Sequence, residues 1–353
     1  LVDVLGYDIG GANTKAAFVC IKNGEMLKAK VAVEYFAIWK QPEKLTSVLL
    51  ALKETLNDGR IDGVGVTMTA ELSDAYQTKR EGVTHILGCV SKAFPKVPIF
   101  VLNTNTELEP WGDTIHKPLV AAAANWAATG WLVAQHLKNC VVVDVGSTST
   151  SIIPIVNSKV AAQGKTDLDK LICGELVYTG SLRTNVAAIV QSIPIRNGAT
   201  CVASELFALS GDVHLILGNI TEKDYTSETA DGRGKTLPEA LARLARVVCA
   251  DTEMLSKQEI INMAQFIYDM QIRQVAEGLK KVYGYAKSAA SMKVPVVVTG
   301  LGKNFIARKA AEKLDVDEVI DVGTLLPQKA VLATPAFAVA VMAANKLEGE
   351  NTK

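Results

Sequence analysis

A chain of 353 residues makes two domains a better expectation than one. An apolar fraction of 49% and a charged fraction of 21% exclude a disordered chain. Lys plus Arg and Asp plus Glu are both 37, so no global basic field exists to collect phosphates; nucleic acid is not an expected partner, although a local basic pocket stays possible.

Val2 to Asp8 reads as a strand, and Ala16 to Ile21 as its return after a glycine turn. Asn23-Gly24 signals a hairpin into a third strand, Met26 to Ile38. Pro42 opens a helix to about Asn57, with Leu45, Val48, Leu49, Leu52 and Leu56 on one face. Ile61 to Met68 and Ile99 to Leu102 read as strands, each followed by a polar loop. Leu119 to Ala134 is the most apolar stretch. It contains Asn125, Thr129 and Gly130 and falls short of the ~20 residues a membrane span needs, so a buried helix and no membrane partner are expected.

The plan then restarts. Val141 to Asp144 is a strand, Ser151 to Val156 its return and Asn157-Ser158 a turn. Residues 164 to about 251 look like a polar insertion. Lys257 to Ala290 is a long helix, and Pro295 to Thr299 a strand leading through Gly300-Leu301-Gly302 into a helix at Asn304 to Leu314. Thr334-Pro335 starts the last helix, which is expected to end near Lys346 before a frayed tail. The expected domains are residues 1–138 with the terminal segment 334–353, and 139–333 with the insertion. The six cysteines are scattered with no C-x-x-C pair. They read as reduced core thiols and, with no visible signal peptide, suggest a cytoplasmic location.

One short pattern occurs twice: V-L-G-Y-D-I-G-G-A-N-T-K from Val4 to Lys15, and V-V-V-D-V-G-S-T-S-T-S-I from Val141 to Ile152. Each is an apolar run, an Asp, a Gly/Ser/Thr/Asn-rich turn and a second apolar run. Glycines allow close backbone approach to a ligand, and successive N–H groups in such a turn make an anion nest. The strand-end Asp can hold Mg²⁺ directly or through water. Two such turns facing each other would grip a phosphate chain and its metal.

These residues, in this order, resemble the acetate and sugar kinase, heat-shock ATPase and actin superfamily. The resemblance implies an α/β fold of two duplicated actin-like, ribonuclease-H-like domains around a central phosphate-binding cleft. Asp8 to Lys15 matches its first phosphate loop, Asp144 to Thr150 its second, and Thr299 to Gly302 the turn that usually holds adenosine, making Gly300 and Gly302 a candidate nucleotide turn. G-Y-D-I-G-G-A-N-T-K, A-A-A-A-N-W-A-A-T-G, G-E-L-V-Y-T-G, R-T-N-V, S-E-L-F-A, G-D-V-H-L-I-L-G and T-A-D-G-R-G-K-T together resemble the condensing enzymes of methanofuran biosynthesis, in the hydantoinase/oxoprolinase-related branch. That implies a transferase joining 5-(aminomethyl)-3-furanmethanol diphosphate to γ-glutamyltyramine, with diphosphate leaving. One departure is Ser151, where members of the wider branch often carry Asp.

The implied chemistry needs negative charge stabilised on the leaving group. Asp8 and Asp144 are the expected catalytic pair and Mg²⁺ holders. Gly10, Gly11, Asn13, Thr14 and Lys15, with Gly146, Ser147, Thr148 and Ser149, are the expected diphosphate-binding residues. The phenol, with an ordinary pKa of about 10, calls for a base. Candidates are Glu71, Glu107, Glu205, Asp212, Asp231 and His214, with Glu205 carried as the catalytic choice. Arg183 and Arg233 suit a carboxylate or phosphate, and Asp231 and Tyr178 complete the substrate-binding set; Tyr225 is a second candidate for ring stacking, whereas Trp126 and Trp131 read as core. His85, His116 and His136 lack metal-ligand spacing. Two rival readings remain open: an ATP-dependent small-molecule kinase or hydantoinase-like enzyme, and a nucleotide-gated scaffold. The sequence leaves the oligomeric state open.

Overall fold

The structure is a computed structural model that describes residues 1–290 and 293–351. It divides into two compact units. The first comprises Leu1–Lys138, Ile155–Asp169 and the described residues from Val322 on; the second comprises Asn139–Pro154 and the described part of Lys170–Asp321.

In the first unit the strands are β1 (Val2–Ile9), β2 (Asn13–Lys22), β3 (Glu25–Tyr35), β4 (Gly63–Met68), β5 (Ile99–Leu102) and β6 (Leu108–Pro110), in sheet order β3-β2-β1-β4-β5-β6. β1, β2 and β3 are antiparallel neighbours, and β4 and β5 run parallel to β1. The β2–β3 turn is the expected one, with Asn23 and Gly24 at φ 52° and 77°. Nearly every residue of β1 and β4 is buried because helices cover the sheet. Helix α1 (Leu45–Leu56) buries Leu45, Leu49, Leu52 and Leu56 at helical spacing. Helix α2 (Lys79–Ala93) is capped by Thr78, whose side chain accepts the Glu81 N–H at 3.2 Å. The expected continuous helix over 119–134 is broken: a short turn at Pro118–Ala121 and a left-handed Ala123 (φ 51°) precede α3 (Asn125–Ala134).

The C-terminal helix Thr334–Asn351 lies against this sheet, and two glycines let it come close. A Cβ at Gly6 would fall 2.0 Å from the Ala336 carbonyl oxygen, and one at Gly65 2.3 Å from that of Val339. Both obstacles are backbone, so the helix must move. Gly65→Ala is expected to lower stability by about 1–3 kcal/mol, read as a lower denaturant midpoint with an unchanged slope. The helix runs past Lys346 to Asn351, so the expected fraying there is not seen; residues 352 and 353 lie outside the described residues.

The remaining strands are β7 (Cys140–Val145), β8 (Thr150–Val156), β9 (Lys159–Val160), β10 (Leu176–Val177), the hairpin β11 (Ser192–Ile195) and β12 (Gly198–Cys201), β13 (Val296–Thr299) and β14 (Val319–Asp321); all lie in the second unit except β9 and the last two residues of β8. The main sheet runs β10-β8-β7-β13-β14, and β9 pairs with the far end of β8. Read as β9-β8-β7-β13-β14, its order repeats β3-β2-β1-β4-β5, and β13 and β14 run parallel to β7 as β4 and β5 do to β1. The insertion folds as short helices, among them α4 (Ser210–Ile216) and α5 (Leu237–Arg246), around a core of its own. The long helix α6 (Lys257–Ala289) serves two cores. Ile260, Met263, Ala264 and Ile267 pack into the insertion; Ile272, Val275, Leu279, Val282 and Ala286 pack on the sheet. Its start is a capping box, Ser256 with Glu259.

The boundary departs from the expected one at two places. Residues 155–169 belong with the first unit, where the Ser158 N–H donates to the Lys138 carbonyl at 2.8 Å and Lys165 Nζ to that of Thr104 at 3.3 Å. Residues 322–333 belong there too, since Gln328–Val331 packs beside β3. The cysteines also correct an expectation. Only Cys89 and Cys140 are buried, Cys201 and Cys249 are exposed, and no disulfide occurs among the described residues. No helix among the described residues is long and apolar enough to cross a membrane.

Candidate functional site

In both units the first strand delivers an Asp, skips one residue and turns on a glycine. After Asp8, the Gly10 N–H donates to the Asn13 carbonyl at 3.0 Å. After Asp144, the Gly146 N–H donates to the Ser149 carbonyl at 3.0 Å. The duplicated sequence is therefore a duplicated turn, with the same bond at the same spacing.

The first turn is held on two sides. The end of β3 reaches it through the Phe36 N–H to Ala12 O and the Ile38 N–H to Gly11 O, both 3.0 Å, and β4 through the Thr69 N–H to Ile9 O at 2.9 Å. Asp8 and Lys15 are cross-strand partners, so their side chains share a face. Lys15 Nζ lies 3.9 Å from Asp8 Oδ2, with the Asp8 side chain buried and that of Lys15 one-third exposed. Thr14 is fully buried, and its hydroxyl has no hydrogen-bond partner. Asn13 and both glycines, Gly10 and Gly11, are half-buried at the turn.

The second turn rests on the backbone of residues 180–183. The Ser181 N–H donates to Gly146 O at 2.9 Å; those of Leu182 and Arg183 both donate to Ser147 O, at 3.0 and 2.9 Å. Arg183 Nη1 donates to Thr148 Oγ1 at 3.2 Å. A Cβ at Gly180 would lie 2.6–2.7 Å from the Ser147, Thr148 and Ser149 backbone, so only glycine fits there. From the other side Gly300 (φ 85°) approaches so closely that a Cβ would sit 2.6 Å from Asp144 Oδ1. The Gly302 N–H donates to Val145 O at 3.0 Å. The candidate nucleotide turn thus braces the strand end that carries Asp144.

The remaining candidates separate by burial and partners. Asp212 is fully enclosed. It accepts from Arg243 Nε at 2.9 Å and from the Leu209 N–H at 3.0 Å, and Arg243 Nη2 pairs with the same oxygen at 2.8 Å. Burial works against the Arg243 charge, but Asp212 and Asp231 outweigh it and hold the guanidinium above its ordinary value. Asp231 is engaged by Arg243 Nη1 at 3.1 Å and Arg246 Nη1 at 3.3 Å. Through these contacts the carboxylate anchors its own loop. The Gly-rich run that follows resembles an anion nest, but Glu239 already fills it, accepting from the Gly234 N–H, the Thr236 N–H and the Thr236 hydroxyl at 3.0, 3.0 and 2.7 Å. Arg233 stands exposed beside it. Tyr225 is completely buried, its ring pressed on Gly211, and is unavailable for stacking; Tyr178, 55% exposed, is available. Glu205 and Glu107 are exposed. His214 is buried, and burial pushes its imidazole down to about 4.

Glu71 is the unusual carboxylate. It lies just past β4, its side chain has no exposure, and neither oxygen has a hydrogen-bond partner. A Cβ at Gly82 of α2 would fall 2.6 Å from the Glu71 Cα, so glycine permits this enclosure. Burial pushes its carboxyl up to about 7, opposed by Lys79, whose Nζ is 3.8 Å away and also pairs with Asp167. The folded value exceeds the unfolded one, so the favourable contribution is complete below about 4.5 and lost as pH rises through 7. Glu71→Gln is expected to abolish that loss, worth roughly 3 kcal/mol over the window. Chemical melts of both proteins at pH 5 and 8 check it; parallel pH dependences would disprove it.

The sequence profile of the hydantoinase/oxoprolinase family matches residues 62–346. The chain belongs to the hydantoinase/oxoprolinase family. A Methanocaldococcus jannaschii relative is 39% identical over 349 residues, 98% of each chain. A Methanococcus vannielii relative is 38% identical over 224 residues, covering 62% of this chain and 97% of that protein. Both relatives bear the name (4-{4-[2-(γ-L-glutamylamino)ethyl]phenoxymethyl}furan-2-yl)methanamine synthase. Among solved structures, nucleotide-free acetone carboxylase superposes with a TM-score of 0.59 at 10% identity, covering 96% of this chain and 70% of that one. That likeness concerns the fold. With the repeated strand order, it gives this family member the expected α/β architecture of two actin-like, ribonuclease-H-like units.

Proposed function

We propose that this family member joins 5-(aminomethyl)-3-furanmethanol diphosphate to γ-glutamyltyramine, forming the aryl-furfuryl ether used in methanofuran biosynthesis. The phenolic oxygen forms a bond to the furfuryl carbon. The carbon–oxygen bond to diphosphate breaks, its electron pair leaves with diphosphate, and the phenolic proton passes to a base or solvent. The furan oxygen spreads positive charge developing on carbon. What the protein must supply is stabilisation of the departing anion.

The twin Asp–x–Gly turn is the observation that supports this reading, joined to identity with the named synthases along nearly the whole chain. Gly10, Gly11, Asn13, Thr14 and Lys15 on one turn, and Gly146, Ser147, Thr148, Ser149 and Arg183 on the other, offer backbone, hydroxyl and cationic donors to phosphate oxygens. The donor set also fits Mg²⁺. Asp8 and Asp144 give hard oxygen ligands, and no group of three or more His, Cys, Asp or Glu that could hold a metal occurs among the described residues. A magnesium ion bound at such a strand-end Asp would keep water and substrate phosphate as its other ligands, as it commonly does. Its chemical contribution would be to neutralise charge on the leaving diphosphate. Lys15 and Arg183 orient the diphosphate, and the exposed Tyr178 ring offers a stacking face for an aromatic substrate.

Mass spectrometry after incubation with both substrates and Mg²⁺ tests the reading. The ether should appear with one diphosphate released per molecule. Turnover-dependent ADP release from ATP, with no ether, would replace this reading with the kinase one.

A further inference from the structure

The polar insertion touches the second phosphate turn through a short chain of oriented hydrogen bonds. Gly180, which presses on the Ser147–Ser149 backbone, is held at both ends. Its N–H donates to Thr184 Oγ1 at 2.9 Å, and its carbonyl accepts from Gln271 Nε2 at 2.9 Å. Gln271 Nε2 also donates to Thr179 Oγ1 at 2.9 Å. A backbone carbonyl only accepts, so the Gln271 amide has one orientation and its Oε1 points the other way. There it lies 3.0 Å from His214 Nε2, which must carry the proton; His214 Nδ1 then accepts from Asn219 Nδ2 at 3.2 Å.

Both central members are enclosed. Gln271 is 1% exposed and His214 fully buried, its ring edge-on to Tyr268 at 5.7 Å and against Phe305 at 4.7 Å. Gln271 sits on α6 between Ile267, which packs into the insertion, and Ile272, which packs on the sheet. His214 and Asn219 come from α4 and the turn after it, and Thr179 and Gly180 from the stretch just past β10, under the phosphate turn. A buried amide costs stability unless bonded, and here every bond has a direction.

We propose that Gln271 is a positioning residue: it fixes Gly180 beneath the second phosphate turn and is itself held in register by His214 of the insertion. This rests on the reading that the turn binds diphosphate oxygens. Without the amide, the Gly180 carbonyl keeps only the longer bond from Thr184 Oγ1, at 3.4 Å, and the floor under the Ser147–Ser149 donors loosens.

The test uses the full chain with Gln271→Met, which keeps length and volume, and His214→Phe, which keeps a ring in the aromatic nest. Three quantities are read: amide hydrogen exchange over residues 146–150 and 179–184 without ligand, calorimetric affinity for inorganic diphosphate with Mg²⁺, and kcat with the KM for γ-glutamyltyramine. Gln271→Met should speed exchange in both segments and weaken diphosphate binding and kcat about tenfold or more, with that KM within about twofold. His214→Phe should fall between it and wild type, and carries the test alone if Gln271→Met does not fold. Exchange and diphosphate affinity equal to wild type would overturn the proposal. Faster exchange in a protein whose wild type takes no diphosphate would uphold the positioning role and sink the proposed function instead.

Discussion

Asp144→Asn is expected to lower turnover by about two to three orders of magnitude while leaving the fold intact. The substitution keeps the shape of the side chain, which matters because Gly300 leaves no spare room at Asp144 Oδ1. It removes one negative charge at the end of β7, where a cation balancing the diphosphate would be held. Asp8→Asn should behave alike in direction, with one difference: it also releases Lys15, 3.9 Å away, from its anionic partner. Steady-state diphosphate release, with circular dichroism as the folding control, is the measurement. Wild-type rates in both variants would remove the two carboxylates from the chemistry.

Arg243→Met should destabilise the second unit by about 3–5 kcal/mol. Arg243 has no exposed surface and binds Asp212 through two nitrogens, Asp231 through a third contact and the Gly234 carbonyl at 3.0 Å. Methionine fills similar volume with no donor. Asp212 would then stay enclosed without its cation, with the Leu209 N–H still donating to it, a far costlier state than loss of both partners. Adding Asp212→Asn, which removes the stranded charge and keeps the N–H acceptor, should recover part of the loss. Denaturant melts of the single and double variants read the coupling. Independent, additive effects would show that the pair contributes nothing jointly.

The duplicated turn was legible because its determinants are local: an apolar strand, an Asp, and a glycine two residues on, written twice. The Asn23-Gly24 hairpin and the span of helix α6 were legible for the same reason. Helix α2 carried no expectation although its buried Val83, Ile86, Leu87 and Val90 keep helical spacing; Gly82, Gly88 and flanking charges dilute the pattern. The candidate site was less legible where burial decides a role. Asp231 looks like any loop carboxylate until Arg243, twelve residues on, closes over it. Glu71 acquires its abnormal acidity from the close approach of Gly82, and the partners of Gln271 lie 57 and 91 residues away in the chain. No single-sequence pattern encodes such encounters.

A helix shared by two cores has a consequence for how this family can vary. The angle between the faces of α6 that meet the insertion and the sheet is fixed by residue count, at about 100° for each residue. Deleting one residue between Ile267 and Ile272 would swing the insertion about a quarter turn around the axis and aim residue 271 away from Gly180. Loops around the insertion impose no such angular constraint; this one stretch of helix is a screw thread, and its pitch sets where residue 271 is aimed.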